Sequence, residues 1–267
     1  MSIDTLPSSV STHSSFRWGV SDVLTVARRN LLALFRIPVA IVFMIIQPIM
    51  FVILFRYVFG GIIRIPGVSY VNYLIPGILV QTVIFGSVGT TVGLAEDLQK
   101  GLIERFRALP MARLAVLAGR TVSDLFRNIL VLVIITGVGF LVSFRPSGGV
   151  IPYLQACLLM LLFAYCLSWG FAFVGLAAPN AEAAQAMIFP VIFPLTFASA
   201  IFVPVFSMPG WLRPFANNQP ISQTAIAVRG LMLGQPHGHS TWIALAWALG
   251  AIIVLAPLAV NKYRKVA

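Results

Sequence analysis

The chain has 267 residues, 59% hydrophobic and only 9% charged, with a formal net charge of +11. A soluble domain of this length needs far more polar surface, and charge is costly to bury in hydrocarbon, so the composition predicts an all-α polytopic membrane protein. The Lys and Arg residues flank apolar runs and form no continuous patch, which excludes a nucleic-acid partner and points to topology determinants and membrane-lipid contacts.

Residues 1–15 are rich in Ser and Thr and contain no apolar h-region, so they predict a disordered tail and not a signal peptide. Residues 16–36 predict an amphipathic interfacial helix. Phe16, Val20, Val23, Leu24, Ala27, Leu31 and Leu34 recur at helical spacing, while Arg17, Ser21, Thr25, Arg28 and Arg36 take the other side. Arg17, Trp18, Arg28, Arg29 and Arg36 are its candidate contacts at headgroup level. The alternative, an ordinary helix packed on protein, is disfavoured because the next segment enters the membrane directly.

Residues 37–267 predict a six-span transmembrane domain. The first span, about 37–59, has Pro38 in its first turn, an expected kink at Pro48, and Arg56 near its far end, able to snorkel out. The second, about 71–95, carries Gly86, Gly89 and Gly93, the last two forming a small-xxx-small pair for close helix approach. The others cover about 129–144, 150–178, 183–206 and 242–260. Pro190, Pro194 and Pro204 make the fifth a broken or re-entrant helix whose freed carbonyls need neighbouring protein or water. Residues 221–234 are apolar but short of the ~20 needed to cross, so 207–240 predicts one or two short interfacial or re-entrant helices.

Between the second and third spans, residues 96–127 are densely charged. Leu98, Leu102, Phe106 and Leu109 repeat at helical spacing opposite Lys100, Glu104 and Arg107, and Pro110 would stop that helix. This amphipathic segment suits either a groove on a partner protein or a plain interfacial connection between spans. Farther on, a second helix starts near Arg113 and runs into the third span; on it Arg120, Asp124 and Arg127 stand at spacings four and three, which predicts a surface ladder of opposite charges. Six spans put both termini on one side, with thirteen Lys and Arg against five on the other, so that side is cytoplasmic.

Several chemistries have no residues to perform them. None of the three lysines, Lys100, Lys262 and Lys265, follows a glycine, so the chain has no P-loop. His13, His237 and His239 lie outside the predicted spans, and the last two alone do not make a metal site. Cys157 and Cys166 are about 13 Å apart along one helix, too far to pair, and read as small buried hydrophobes.

The stretch Glu96-Asp97-Leu98-Gln99-Lys100-Gly101-Leu102-Ile103-Glu104-Arg105-Phe106-Arg107-Ala108-Leu109-Pro110, followed by Gly119-Arg120, resembles the cytoplasmic coupling segment of ABC-2-type permeases. The stretch from Trp211 to Ser222, with Trp211, Pro214, Phe215, Asn218, Gln219 and Pro220, is similar to the corresponding part of the daunorubicin/doxorubicin-resistance-like subgroup. The resemblance covers most of residues 16–265. It implies an export permease in the bacterial inner (plasma) membrane, paired with a second permease, the same chain or a paralogue, and with two copies of an ABC ATP-binding subunit. ATP and Mg would sit on those subunits, with no cofactor and no catalytic residue on this chain. Residues 98–110 would be the coupling helix, with Leu98, Lys100, Gly101, Leu102, Glu104, Arg105, Phe106, Arg107, Leu109 and Pro110 as coupling residues. Residues 207–234 would be outer re-entrant helices closing the exit. The 20 phenylalanines suit an apolar cleft for an amphipathic drug, lipid or glycolipid. The rival from another class is a secondary transporter or channel running without ATP; a purely structural scaffold leaves the charged 96–113 segment unexplained.

Overall fold

The computed structural model describes residues 15–36, 38–63, 65–102 and 115–266. Among these residues the chain is helical, with one isolated bridge between Ile65 and Val68 in place of any strand. In chain order the helices are α1 (Ser15–Phe35), α2 (Pro38–Leu54, continued by a π-helical turn Phe55–Phe59), α3 (Tyr70–Gln99), α4 (Ala115–Leu141), α5 (Val150–Ala177), α6 (Ala181–Phe197), α7 (Arg213–Asn218), α8 (Pro220–Leu233) and α9 (Gly238–Val266). Four are long and apolar enough to cross a membrane: α3, α4, α5 and α9. Two shorter apolar helices, Met44–Phe59 and Ala181–Phe197, fall at the expected first and fifth spans.

α3 is the axis of the bundle. Its apolar residues lie on all sides, and it packs on α2, α4, α5, α6 and α8. A helix hydrophobic all round belongs inside, and Leu74, Ile75, Ile78, Leu79 and Ile84 are completely enclosed. Lipid tails are as apolar as leucine, so close packing and hydrogen bonds between helices hold such a bundle together. Thr91 Oγ1 donates to the Phe171 carbonyl of α5 at 2.8 Å, and a methyl on Gly175 would collide with the Thr91 backbone. α9, by contrast, lies at the edge on α5 and α8, and Ile253 and Val254 face outward.

Several expectations change. α1 forms where the periodicity predicts it, but Val26 and Ala27 are buried against α4, where Val26 meets Gly119 with no room for a side chain. One face of the helix is thus packed on protein, with Leu24 and Leu32 left exposed on the other. Pro48 lies inside α2 without ending it. Arg56 donates to the Val142 carbonyl just past the end of α4, an acceptor the helix leaves unpaired. The helix expected to run into the third span is present: α4 is continuous from Ala115 to Leu141 and carries Arg120, Asp124 and Arg127 within it.

The proline-rich fifth span is interrupted as predicted. α6 accommodates Pro190 and Pro194, ends at Phe197, and is followed by irregular chain to the turn Val205–Ser207. Two short helices, α7 and α8, follow where short elements were expected.

Candidate functional site

The polar groups of the bundle gather in three places along α3. The first is its C-terminal end. Asp97 is buried there, 3.6 Å from Arg120 of α4 and 3.6 Å from Arg29 of α1, so one carboxylate links three helices. Arg120 also donates to the Gly89 carbonyl at 3.0 Å. About two turns farther in along α3, Asp124, only 2% exposed, pairs with Arg127 at 2.9 Å and accepts a hydrogen bond from the Thr90 hydroxyl. Arg127 donates to the Gly86 carbonyl as well. The sequence placed Arg120, Asp124 and Arg127 as a surface ladder; they are instead turned inward against α3. The reason is the glycine spacing of α3: a methyl on Gly93 would overlap the Arg120 guanidinium, one on Gly89 the Arg127 guanidinium, and one on Gly86 the Asn128 amide. These glycines are sockets for polar side chains of α4, not the contact points of two apolar helices.

Gly101 ends α3 just beyond this cluster. Its φ of +64° is the left-handed conformation that glycine adopts at helix C-termini, and its N–H bonds to the Leu98 carbonyl at 3.0 Å. Leu98 is thus in the last turn of α3, packed beside the Leu94, Leu117 and Tyr263 cluster, and does not open a separate helix running to Pro110. Lys100 pairs with Glu96 at 2.9 Å, and that carboxylate holds its ammonium above the usual lysine range. Gly101 and Leu102 are half-buried. Glu104, Arg105, Phe106, Arg107, Leu109 and Pro110 lie outside the described residues, as do the side chains of Arg17 and Trp18. Arg28 is exposed on α1 and Arg36 just after its end.

The second place is the opposite end of α3, around Arg229 of α8. This arginine is 6% exposed and donates to the carbonyls of Tyr73 (2.9 Å), Ala200 (2.8 Å) and Ile201 (3.3 Å), its guanidinium 3.5 Å from the Tyr73 ring centroid. Tyr73 and Tyr70 hydroxyls donate to the Ala200 and Phe202 carbonyls, and the Gln219 amide to Ala198. The Ala198, Ala200, Ile201 and Phe202 carbonyls in the break after α6 are therefore satisfied by protein. Sequence reasoning counted Arg229 only as a charge on one face; the available signal was a lone arginine in an apolar segment following a proline-broken one. The flagged residues here divide. Trp211, 80% exposed, and Pro214, Phe215 and Asn218 face outward, whereas Gln219 is buried and Pro220 opens α8. A cavity of about 540 Å³ lies beside them, with Tyr73, Pro204, Arg213 and Arg229 in its wall.

The third place is a cavity of about 350 Å³ halfway along α3, between α2, α3 and α4. Met44, Phe51, Phe85 and Val131 supply apolar wall, and Gln47, Gln81, Thr82 and Arg127 polar wall. Phe51 stacks on Phe202 and Phe85 meets Phe193 edge-on, so neighbours hold both rings. Among the described residues, Gln81 Oε1 and Arg127 Nε are buried without a hydrogen-bond partner.

Among the described residues no three His, Cys, Asp or Glu side chains converge to hold a metal. His237 Nδ1 is 2.7 Å from the Gln235 carbonyl, and Cys157 and Cys166 are unpaired thiols on α5.

Comparison with known proteins agrees with the sequence resemblance. Residues 21–233 match the family described as ABC-2 type transporter. The chain is 34% identical over 245 residues to the daunorubicin resistance ABC transporter permease protein DrrB1 of Streptomyces coeruleorubidus, covering 92% of this chain and 87% of that one. It is 28% identical over 222 residues to the doxorubicin resistance ABC transporter permease protein DrrB of Mycobacterium tuberculosis, covering 81% and 77%. With its apolar helices, this makes the chain a multi-pass membrane protein.

Proposed function

The chain belongs to the ABC-2 type transporter family, and on that premise we propose that it is the permease subunit of an ATP-driven exporter for an amphipathic substrate. ATP, with its Mg, would be hydrolysed on two copies of a separate ATP-binding subunit, and a second permease, identical or paralogous, would complete the path. The drug-resistance names of its relatives favour a drug over a lipid or glycolipid as cargo. In this reading the chain sits in the bacterial inner membrane with both termini and the charged end of α3 in the cytoplasm. That side holds thirteen of the 18 Lys and Arg.

The Asp97 junction carries the proposal. The segment with the coupling residues Glu104, Arg105, Phe106, Arg107, Leu109 and Pro110 leaves α3 at Gly101, one turn past Asp97. Through Asp97, the same end of α3 is joined to α1 and α4. A push on that segment by a closing ATPase would therefore reach three helices. α3 would carry it inward, and α7 and α8, with Trp211, Phe215 and Gln219, would border the exit.

Co-expression of the chain with its ATPase, transport in inverted vesicles and co-purification test this reading. Vanadate-sensitive, ATP-dependent uptake into such vesicles is expected. Glu104→Lys should leave the protein in the membrane, abolish that uptake and weaken co-purification. Uptake that needs no ATPase would replace the exporter with a secondary transporter or channel.

A further inference from the structure

We infer that the cavity at the N-terminal end of α3, bordered by α7, α8 and the irregular chain after α6, binds the anionic phosphate headgroup of an amphiphile. Charge selects that chemistry. Arg213 and Arg229 both lie in the cavity wall, and among the described residues neither forms an ion pair. No Asp or Glu occurs in residues 23–95 or 183–267, which supply the whole wall. A buried cation is ordinarily paired, yet Arg229 is 6% exposed and has no counter-ion. Its three carbonyl bonds occupy Nε and Nη2 and leave the net charge in place. Nη1 has no hydrogen-bond partner among the described residues and keeps water-accessible surface, which the cavity provides. Arg213 is steadied by an Nε bond to the Met208 carbonyl at 2.7 Å, with both Nη groups unbonded. Asn217 and Gln235 stand in the same wall with side-chain amides as further donors. Guanidinium forks match the spacing of oxyanion oxygens, so a phosphate fits two of them well. A zwitterionic headgroup would bring its own cation against both arginines.

The rest of the wall suits an apolar body. Ile65, Val68, Val205, Phe206 and Ile226 line the cavity, and Phe206 is 61% exposed, so the wall continues onto the outer surface. Trp211 and Phe215 face outward close by in the chain, the placement aromatic side chains take at headgroup depth. About 540 Å³ is a drug-sized space, enough for a headgroup and the start of its chains. That the cavity faces the outer leaflet rests on the permease reading above, with both termini inside; the binding itself does not.

The full chain in phosphatidylcholine nanodiscs would be photolabelled with trace phosphatidylglycerol carrying a diazirine beside its headgroup, and separately with the matching phosphatidylcholine probe. The phosphatidylglycerol label is expected on residues 204–217 and 226–236, falling as unlabelled phosphatidylglycerol is added. The phosphatidylcholine probe should leave those peptides unlabelled. Arg229 also closes the break after α6, so the test falls on Arg213, which holds only the Met208 carbonyl. Arg213→Gln should cut the label at the site by about fivefold to tenfold, the scale of one charge-assisted hydrogen bond. Arg145→Gln removes an exposed arginine outside the cavity and should leave the label unchanged. Ile226→Phe should lower it by filling the space while both charges stay. Equal labelling by the two probes, label spread along lipid-facing helices, full labelling in Arg213→Gln, or an equal loss in Arg145→Gln would overturn the site. Displacement of the probe by inorganic phosphate alone would overturn the amphiphile and leave a site for soluble phosphate. Vanadate-sensitive export without headgroup-selective labelling would remove the site and leave the permease. Selective labelling without ATP-driven export would do the reverse.

Discussion

Both ends of α3 are held by arginine, and the difference lies in what the arginine holds. At the N-terminal end Arg229 is enclosed and bonds three main-chain carbonyls, two of them on the irregular chain after α6. At the C-terminal end Arg29 and Arg120 share the Asp97 carboxylate at 3.6 Å each, with Arg29 partly in solvent. Carbonyls buried at membrane depth have no water to turn to, so the first arrangement cannot open without stranding them. The Arg29–Asp97 contact has its arginine partly in solvent, so it exchanges with water at little net change in free energy. The bundle thus has a fixed frame at one end and a separable joint at the other, with the joint next to the segment proposed to meet the ATPase.

Breaking the frame should have the largest effect. Arg229→Met keeps much of the side-chain volume but leaves the Tyr73 and Ile201 carbonyls without this donor, while Ala200 retains the Tyr73 hydroxyl. At about 1–3 kcal/mol for each stranded acceptor, the loss is expected to be about 3 kcal/mol or more, read as a lower melting temperature and folded yield in detergent. Arg229→Lys should recover little, because one ammonium cannot reproduce the fork that reaches both α3 and the broken segment. Wild-type stability in Arg229→Met would mean that the break stands without its arginine.

The long helices were legible because apolar runs of this length have few other solutions, and the interruption near the fifth span because prolines free carbonyls. Its exact position was not, since α6 tolerates Pro190 and Pro194 and ends at Phe197. The charged positions were harder. Asp124 between two arginines is the pattern of a solvated helix face, and starting the span at 129 followed from keeping charge out of the membrane. What turns this face inward is another helix: Gly86, Gly89 and Gly93 of α3 are matched to Asn128, Arg127 and Arg120 of α4, and Thr90 of α3 donates to Asp124. That match depends on the rotation of α3 against α4, which one-helix periodicity does not contain. That Gly101 closes α3 between Lys100 and Leu102, inside the stretch the family resemblance reads as a coupling helix, was not legible.

Between frame and joint, the sockets permit a sharper test. Gly93→Ala should destabilise by about 1–3 kcal/mol, because the methyl displaces the Arg120 guanidinium. In an Arg120→Ala background the same change should be neutral or stabilising, since alanine is the better helix former by about 1 kcal/mol. A double-mutant cycle by thermal unfolding measures the reversal. Additive losses would mean that the small residue serves general helix packing and not the arginine.

The smallest stability effect is expected at the joint. Asp97→Asn keeps the shape and removes the charge that Arg29 and Arg120 share. With both contacts at 3.6 Å and Arg29 partly solvated, the loss should be about 1 kcal/mol or less. Val26 and Ala27 still pack on α4, so α1 should stay folded. Its tether to α3 would be gone, however, and hydrogen exchange across Ser21–Leu32 should quicken while the amides of α3 near Tyr73 stay protected. High salt should quicken the same amides in the wild type and change the variant little, because it screens the interaction the variant lacks. If the ion pair is only a surface ornament, exchange in α1 will be identical in the two proteins at every salt concentration, and the contrast between the ends of α3 would reduce to a difference in burial.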